Sequence, residues 1–192
     1  MRIFLAGASG VIGVRLVPLL VEMGHTVAGM TRSPGKTKLL EGLGAEPVLC
    51  DVFERDELEA AVAEFKPDLV MHQLTDLPDE AHKIADFRDR NDRVRTEGTR
   101  NLLAAAAAAG VRRFLAQSIA WTPAGAGDIV AEHERLVLEA GGVVVRYGAF
   151  YGPGTYSEDR IPPPPRIQID EAARRTMPLL AAETGLFEIA ED

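Results

Sequence analysis

Short apolar runs alternate along the chain with longer segments of helical spacing. Ile3-Phe4-Leu5-Ala6 is a continuous apolar run that ends at Gly7, which is typical of a strand buried on both faces of a parallel sheet. Residues 11–23 then place apolar side chains at helical intervals, and Gly24 ends this predicted helix. Pro18 lies inside it, where proline kinks a helix or costs it one hydrogen bond.

The same alternation continues through most of the sequence. It predicts further strands at residues 26–30, 46–49, 68–72, 113–117 and 143–146, with helices ending near Leu43 and spanning about 54–65, 79–109 and 129–140. We expect the long helical region to be broken near Arg90-Asn91. Parallel strands joined by right-handed helical crossovers form a doubly wound sheet flanked by helices, so the predicted fold class is α/β.

The character of the sequence changes after Gly154. Pro162–Pro165 is non-helical, and a short strand at 166–169, a helix at about 171–183 and a strand at 186–189 follow. We therefore predict one main domain over residues 1–154 and a short segment, 155–192, packed on the same domain.

Composition and charge narrow the classes of function. The chain has 192 residues, 46% hydrophobic and 26% charged, which fits one globular domain. Its net charge of −8 disfavours general nucleic-acid binding, and the longest uncharged run, residues 114–127, is too short to cross a membrane. We expect a cytoplasmic protein with neither nucleic acid nor membrane as a partner. The single cysteine, Cys50, is expected to be a small buried residue, and the four histidines show no metal-ligand spacing.

The strongest motif lies where the first strand meets the first helix. It reads Gly7-Ala8-Ser9-Gly10-Val11-Ile12-Gly13. Gly7 permits a tight turn, Gly10 lets a pyrophosphate approach the backbone, and Gly13 lets the helix pack closely on the sheet. The helix N-terminus presents free N–H groups to phosphates. The context predicts a dinucleotide site, whereas the alternative is that the glycines merely close a turn.

The GxxGxxG spacing resembles the short-chain dehydrogenase/reductase superfamily. Further segments are similar to its extended and atypical branch, the NAD-dependent epimerase/dehydratase-like proteins; they are Gly98–Leu103 with Gly110–Phe114, Arg146–Gly154, Ile169–Ala173 and Gly185–Ile189. The resemblance implies a Rossmann-type domain and identifies 155–192 as a reduced remnant of the substrate lobe. It also implies a possible homodimer through paired long helices, although the charged face at residues 86–95, expected to be solvated and ion-paired, weakly opposes a dry interface.

The segment after the second strand bears on cofactor choice. Enzymes that select NAD place a carboxylate here, but Thr31-Arg32-Ser33 contains none, and the next acid is Glu41. Arg32 can stack on adenine and pair with a 2′-phosphate, and Ser33 can donate to the same group. We therefore predict NADP over NAD. The alternative is that Arg32 is simply an exposed turn residue.

The resemblance implies further cofactor contacts. Asp51 and Val52 should contact the adenine, Gln73 and Leu74 should line the ribose and nicotinamide side, and Tyr147 belongs to the motif after the sixth strand. A rival interpretation has Asp51 only capping the following helix.

The reaction end departs from the family pattern. Ser118 occupies the position of the catalytic serine, but the family's tyrosine and lysine are missing, because Ala126 and Val130 stand at their positions. His133 could replace the base, but a solvated surface histidine is the favoured interpretation. The connection at 119–128 and the segment 156–166 are short, which a reduced substrate lobe or an internally incomplete sequence would both explain.

These features predict an NAD(P)-dependent oxidoreductase. The hypothesis is hydride transfer on a small carbonyl, alcohol or sugar-nucleotide-like substrate, with Ser118 polarising the carbonyl. Two alternatives remain: a redox-neutral epimerase or dehydratase that keeps its cofactor bound, and a non-catalytic regulator that senses NADP(H).

Overall fold

The computed structural model describes residues 1–78, 80–121 and 127–191. Seven strands form one sheet in the order β3-β2-β1-β4-β5-β6-β9, and every neighbouring pair is parallel. The strands are β1 (Arg2–Ala6), β2 (Thr26–Thr31), β3 (Glu46–Leu49), β4 (Leu69–His72), β5 (Arg113–Ile119), β6 (Val143–Tyr147) and β9 (Gly185–Ile189). The chain winds outward from β1 in both directions, so the predicted doubly wound Rossmann-type sheet is confirmed.

Helices connect these strands. They are α1 (Gly13–Glu22), α2 (Thr37–Gly42), α3 (Arg55–Phe65), α4 (Arg88–Arg93), α5 (Thr99–Ala108), α6 (Gly127–Glu139) and α7 (Ile169–Thr176). Short 3₁₀ segments cover Pro34–Lys36, Ala81–Phe87 and Met177–Ala181, and a π-helical turn covers Val94–Gly98. Two short parallel strands, β7 (Ala149–Tyr151) and β8 (Arg166–Gln168), form a separate small sheet.

The core lies in two layers, one on each face of the large sheet. Ile3 and Leu5 of β1 point to the layer that includes α1 and α7, whereas Phe4 and Ala6 point to the layer of α3, α5 and α6. Successive side chains of a strand face opposite sides of the sheet, so one strand contributes side chains to both layers. The continuous apolar run in β1 is therefore required for burial on both sides.

Several predicted element boundaries were wrong. The region after β4 changes from 3₁₀ to α-helical hydrogen bonding at Phe87/Arg88, and from α-helical to π-helical hydrogen bonding at Val94. The predicted break, at Arg90-Asn91, lies between these two points. The predicted helix at 171–183 begins earlier and ends as a 3₁₀ segment at Ala181. Strand β7 was not predicted.

Composition raised three questions about the described residues, namely a membrane-spanning helix, a metal-ligand cluster and the burial of Cys50. No helix in these ranges is long and apolar enough to cross a membrane. No group of three or more histidine, cysteine or acidic side chains in the same ranges could hold a metal ion. Cys50 is 4% exposed, as expected, and burial raises the pKa of its thiol to about 11.

Candidate dinucleotide and reaction site

The glycine-rich turn after β1 is shaped by close backbone contacts. Gly7 has a φ of +90°, and a Cβ there would lie 2.6 Å from the backbone carbonyl carbon of Gln73. A Cβ on Gly13 would lie 2.3 Å from the carbonyl oxygen of Gly7. The Gly10 amide donates to the same Gly7 carbonyl at 3.0 Å. Only glycine therefore fits at Gly7 and at Gly13. Helix α1 begins at Gly13, directly beside this turn.

A cavity of about 150 Å³ opens beside the turn, at the carboxyl ends of β1 to β4. Nine predicted cofactor-binding residues line it: Gly7, Ser9, Gly10, Arg32, Ser33, Asp51, Val52, Gln73 and Leu74. Of the other predicted residues, Val11, Ile12 and Gly13 continue the turn into α1. Sequence reasoning missed Met30, Thr31, Cys50, Phe53, Thr75 and Val94, which also line this cavity.

Hydroxyl groups tie the two loops of this cavity together. The Ser9 and Thr31 hydroxyl oxygens lie 2.9 Å apart, and the backbone amide of Ser33 donates to the Thr31 hydroxyl at 3.2 Å. Thr31 therefore fixes the glycine-rich turn relative to the loop that carries Arg32.

Arg32 is half-exposed and forms a bidentate ion pair with Asp76. Its Nη2 and Nη1 atoms lie 2.9 and 3.2 Å from the two Asp76 carboxylate oxygens, and Arg90 donates to the same carboxylate at 3.1 Å. Burial alone would raise the pKa of Asp76, but the two guanidinium groups lower it overall. Arg32 is thus oriented by Asp76, a partner that the sequence did not reveal.

Asp51 lies at the cavity, but it does not cap α3. Its Oδ1 atom accepts from the backbone amide of Phe53 at 3.0 Å, which closes a turn two residues long. The N-cap of α3 is Glu54. The alternative interpretation of Asp51 as a helix cap was therefore wrong, and its contact with adenine stays a prediction.

Gln73 is buried, with 3% of its surface exposed, and lines the same cavity. Neither its amide nitrogen nor its amide oxygen makes a hydrogen bond of normal geometry to the described residues. Its side chain lies close enough to the Tyr147 hydroxyl to lower the pKa of that phenol, without meeting hydrogen-bond geometry. Buried amides are normally hydrogen-bonded, so this side chain is a donor and acceptor suited to a bound polar ligand.

Tyr147 lies in the core and does not line either cavity. Its hydroxyl is 2.7 Å from the Thr176 hydroxyl, and burial raises the pKa of the phenol. Its predicted role as a direct cofactor contact is therefore not supported by its position, although it lies behind Gln73.

Ser118 lies near the end of β5 and is joined to two charged residues. Its hydroxyl donates to Oε1 of Glu134 at 2.6 Å. Arg146 of β6 donates from Nε to Oε1 of Glu134 at 2.8 Å and from Nη2 to Oε2 at 2.5 Å. The Ser118 proton thus points to Glu134, whereas polarising a carbonyl would need it to point to the substrate.

A second cavity, of about 210 Å³, adjoins this network. It is lined by Ile119, Ala120, Trp121, Gly127, Val130, Ala131, Glu134 and Arg146. Val130 stands where the family has its lysine, and Ala126, at the tyrosine position, lies outside the described residues. Glu134 and Arg146 are the ionisable groups among the described lining residues.

His133 is 2% exposed, so the prediction of a solvated surface histidine was wrong. Its Nδ1 lies 2.8 Å from the Thr99 hydroxyl, which lies 3.0 Å from Nε2 of His72, and its Nε2 lies 2.9 Å from the Gln117 carbonyl oxygen. The Leu74 amide donates to Nδ1 of His72. His72 is therefore protonated on Nε2 only, and burial is the main cause that lowers the pKa of both imidazoles.

Arg95 also departs from the expected solvated face. Burial lowers the pKa of its guanidinium, and the opposing influences come from the charges of Asp92 and Glu134. Within the described ranges it forms no ion pair, and it interacts electrostatically with both buried histidines. Arg95 is half-buried and belongs to the π-helical turn at Val94–Gly98, which nothing in the sequence indicated.

The sequence did contain a signal for the residues missed on α6. Val130, His133, Glu134 and Val137 are its buried residues, spaced at i, i+3, i+4 and i+7. The two valines mark the apolar face, and helical spacing places the histidine and glutamate on that same face.

Comparisons with known proteins agree with this architecture. Residues 3–139 match the model of the NAD dependent epimerase/dehydratase family. A 3-diazoavenalumate denitrifying reductase from a Streptomyces species is 37% identical over 185 residues, covering 83% of this chain and 60% of that protein. A 3-beta-hydroxysteroid dehydrogenase from Mycolicibacterium neoaurum is 33% identical over 141 residues, covering 70% of this chain and 36% of that protein. The chain thus spans less than two thirds of the length of either relative.

Solved structures show the same fold. The UDP-glucose 4-epimerase of Thermus thermophilus, in complex with NAD, superposes with a TM-score of 0.82 at 19% identity, over 99% of this chain and 78% of that one. The family match covers most of the chain, and the motifs predicted it. The chain belongs to the NAD-dependent epimerase/dehydratase family of extended short-chain dehydrogenase/reductase proteins.

Proposed function

We propose that this protein is an NADP-dependent oxidoreductase that transfers a hydride between the cofactor and a small carbonyl or alcohol. The observation that carries the proposal is the pairing of two cavities along the carboxyl edge of the sheet. One is lined by the glycine-rich turn and the ends of β1 to β4, and the other is lined by Glu134, which accepts the hydrogen bond of Ser118. Two relatives with oxidoreductase names favour this reaction class over a redox-neutral one.

The residues of the first cavity fit a dinucleotide. The turn at Gly7–Gly13 offers backbone N–H groups and a helix N-terminus to a pyrophosphate. The buried amide of Gln73 lacks a normal hydrogen-bond partner among the described residues and would gain one from the bound group. When bound, a nicotinamide dinucleotide supplies or accepts the hydride.

The preference for NADP rests on Arg32. Asp76 is shared between Arg32 and Arg90, so this group of three side chains keeps a net positive charge. No carboxylate follows β2 to bind a ribose diol until Glu41. A 2′-phosphate at this position would gain a charge-assisted hydrogen bond from Arg32.

Calorimetric titration with NADP, NADPH, NAD and NADH tests both the dinucleotide site and the preference for NADP. We expect the phosphorylated pair to bind more tightly than the other pair. Because a charge-assisted hydrogen bond contributes about 1.5–3 kcal/mol, Arg32→Asp should weaken NADP and NADPH about 10- to 100-fold and leave NAD nearly unchanged. Arg112→Asp makes the same charge change at an exposed residue before β5, far from the cavity, and serves as the control.

The outcomes separate the alternatives. Equal affinity for NADP and NAD would refute the NADP preference, and no binding of any dinucleotide would refute the oxidoreductase proposal. Nicotinamide absorbance that persists through purification would favour the epimerase or dehydratase alternative. Tight binding without turnover of any carbonyl or alcohol would favour a regulator that senses NADP(H).

A further inference from the structure

The hydrogen bond between Ser118 and Glu134 has a defined direction. Both oxygens of the Glu134 carboxylate are held by Arg146, at 2.8 and 2.5 Å, and the glutamate is 5% exposed. A carboxylate clamped by a guanidinium accepts hydrogen bonds and cannot donate them. The Ser118 proton is therefore directed to Glu134, and the lone pairs of Ser118 Oγ remain available as acceptors. Ser118 is 5% exposed, and its chain neighbour Ile119 and its partner Glu134 line the cavity of about 210 Å³ from which a substrate hydroxyl would reach it.

The groups that face Glu134 come from three elements. They are Arg146 on β6, Ser118 on β5 and Arg95 on the π-helical turn, with His133 adjacent on α6 itself. Burial would raise the pKa of Glu134, but the hydrogen bonds from Arg146 and Ser118 and the nearby positive charge lower it overall. Glu134 is thus ionised at neutral pH.

We propose that Glu134 accepts and returns the substrate proton through Ser118, and so takes over the proton transfer that the family assigns to its missing tyrosine. The inference rests on the proposed oxidoreductase function and names a residue for it. Glu134 is a positioning and proton-accepting residue, because it acts through Ser118. Its carboxylate also lines the 210 Å³ cavity beside Val130, where no lysine is present.

The step balances for an alcohol and an oxidised nicotinamide dinucleotide. The substrate O–H proton passes to Ser118 Oγ as the serine proton passes to Glu134 Oε1. A bound nicotinamide dinucleotide would accept the hydride from the carbinol carbon, and the C–O bond would become a carbonyl. In the reverse direction, protonated Glu134 restores the proton to Ser118 while Ser118 gives its own to the substrate oxygen.

This relay predicts opposite pH dependences for the two directions. Oxidation needs the Glu134 carboxylate, so its rate falls as the pH drops through the pKa of Glu134. Reduction needs the protonated acid, so its rate rises over the same interval. If the ion pair between Glu134 and Arg146 served only the fold, the rates of the two directions would not change in opposite senses with pH.

The test combines Glu134→Gln, Glu134→Asp and the control Glu139→Gln, which alters an exposed ion pair with Arg135 on the same helix. Turnover is measured in both directions with NADP(H) and a panel of benzylic alcohols and their aldehydes or ketones. We expect Glu134→Gln to lose about 100-fold in kcat with NADPH affinity within about twofold of the unchanged protein. Glu134→Asp should recover part of the rate and both pH limbs.

A measurement without turnover covers the case in which Glu134→Gln does not fold. Carbon-13 NMR of the glutamate carboxyl groups follows the titration of Glu134 in the unaltered protein and in Ser118→Ala. We expect Glu134 to titrate below the ordinary glutamate range, and its pKa to rise when the Ser118 hydroxyl is removed. A titration in the ordinary range that ignores Ser118→Ala would overturn the relay.

The two proposals fail in different ways. If Glu134→Gln keeps its rate and pH profile, the relay is wrong and the oxidoreductase function stands. If the unaltered protein binds NADPH but reduces nothing in the panel, the relay is overturned and only cofactor binding remains. If no dinucleotide binds, the proposed function itself fails.

Discussion

Replacing Thr99 by valine tests whether the buried histidine cluster supports the site. The cluster consists of His72, Thr99 and His133, with 1%, 0% and 2% of their surfaces exposed. The Thr99 hydroxyl lies 3.0 Å from His72 Nε2 and 2.8 Å from His133 Nδ1. Valine keeps the branched shape and volume of threonine, so the change removes the hydroxyl and little else.

The expected loss follows from counting the groups left without a partner. His72 Nε2–H loses its acceptor, and His133 Nδ1 loses its donor. Each buried polar group left unsatisfied costs about 1–3 kcal/mol. The carbonyl oxygen of Arg95 lies 3.3 Å from His133 Nδ1. It can accept a hydrogen bond from that nitrogen only if the imidazole changes its protonation. We therefore expect the free energy of unfolding to fall by about 2–6 kcal/mol.

Urea denaturation followed by circular dichroism measures this loss, and the thermal unfolding midpoint should shift down by about 4–24 °C. Thr37→Val is the control, because the Thr37 hydroxyl donates to the Pro34 carbonyl on an exposed turn. That variant should change stability by less than about 0.5 kcal/mol. A loss below about 1 kcal/mol for Thr99→Val would show that the cluster tolerates unpaired imidazole nitrogens, and would refute the reasoning.

Two further predictions concern pH and the glycine-rich turn. Because the pKa values of His72 and His133 are lowered in the folded state, the unfolded chain binds more protons below about pH 6.5, and stability should fall on acidification from about pH 7.5 to about 5.5. The slope is at most about 1.4 kcal/mol per pH unit for each histidine, and a flat urea-denaturation series would contradict it. Gly13→Ala should lower both stability and dinucleotide affinity, because its Cβ would lie 2.3 Å from the Gly7 carbonyl oxygen. Gly35→Ala, with no atom within 4 Å of the added carbon, should change neither in calorimetry and thermal unfolding.

The main sheet could be predicted because its inner strands β1, β2, β4 and β6 are buried on both faces. Such strands are continuous apolar runs, and their ends are marked by turn residues. The predicted third strand matches β3 residue for residue, and the other predicted strands of the large sheet differ by one or two residues at either end. Parallel strands bring their carboxyl ends to one edge, so Gly7, Asp51, Gln73 and Ser118 could be assigned to a common side.

The partners of the site residues could not be predicted in the same way. The contact of Arg32 with Asp76 joins positions 44 residues apart through two loops, and no periodic pattern specifies the path of a loop. Arg95 belongs to a π-helical segment, a local change of hydrogen bonding with no composition signal. The burial of His133 and Glu134, in contrast, had a signal in the sequence. Their helical spacing with Val130 and Val137 indicated the buried face of α6, whereas their polarity favoured exposure to solvent.

The loss of the family's lysine does not leave the reaction end without positive charge. Val130 contributes no charge, but Arg146 and Arg95 approach from β6 and the π-helical turn, among the carboxylates of Glu134, Glu188 and Asp92. The two buried histidines stay neutral at neutral pH and do not alter this balance. Arg146 lines the reaction cavity, and a guanidinium fixed there would stabilise negative charge that develops on a substrate oxygen. Under the proposed function, Arg146 would take the electrostatic role of the missing lysine, and Glu134 the proton-transfer role of the missing tyrosine.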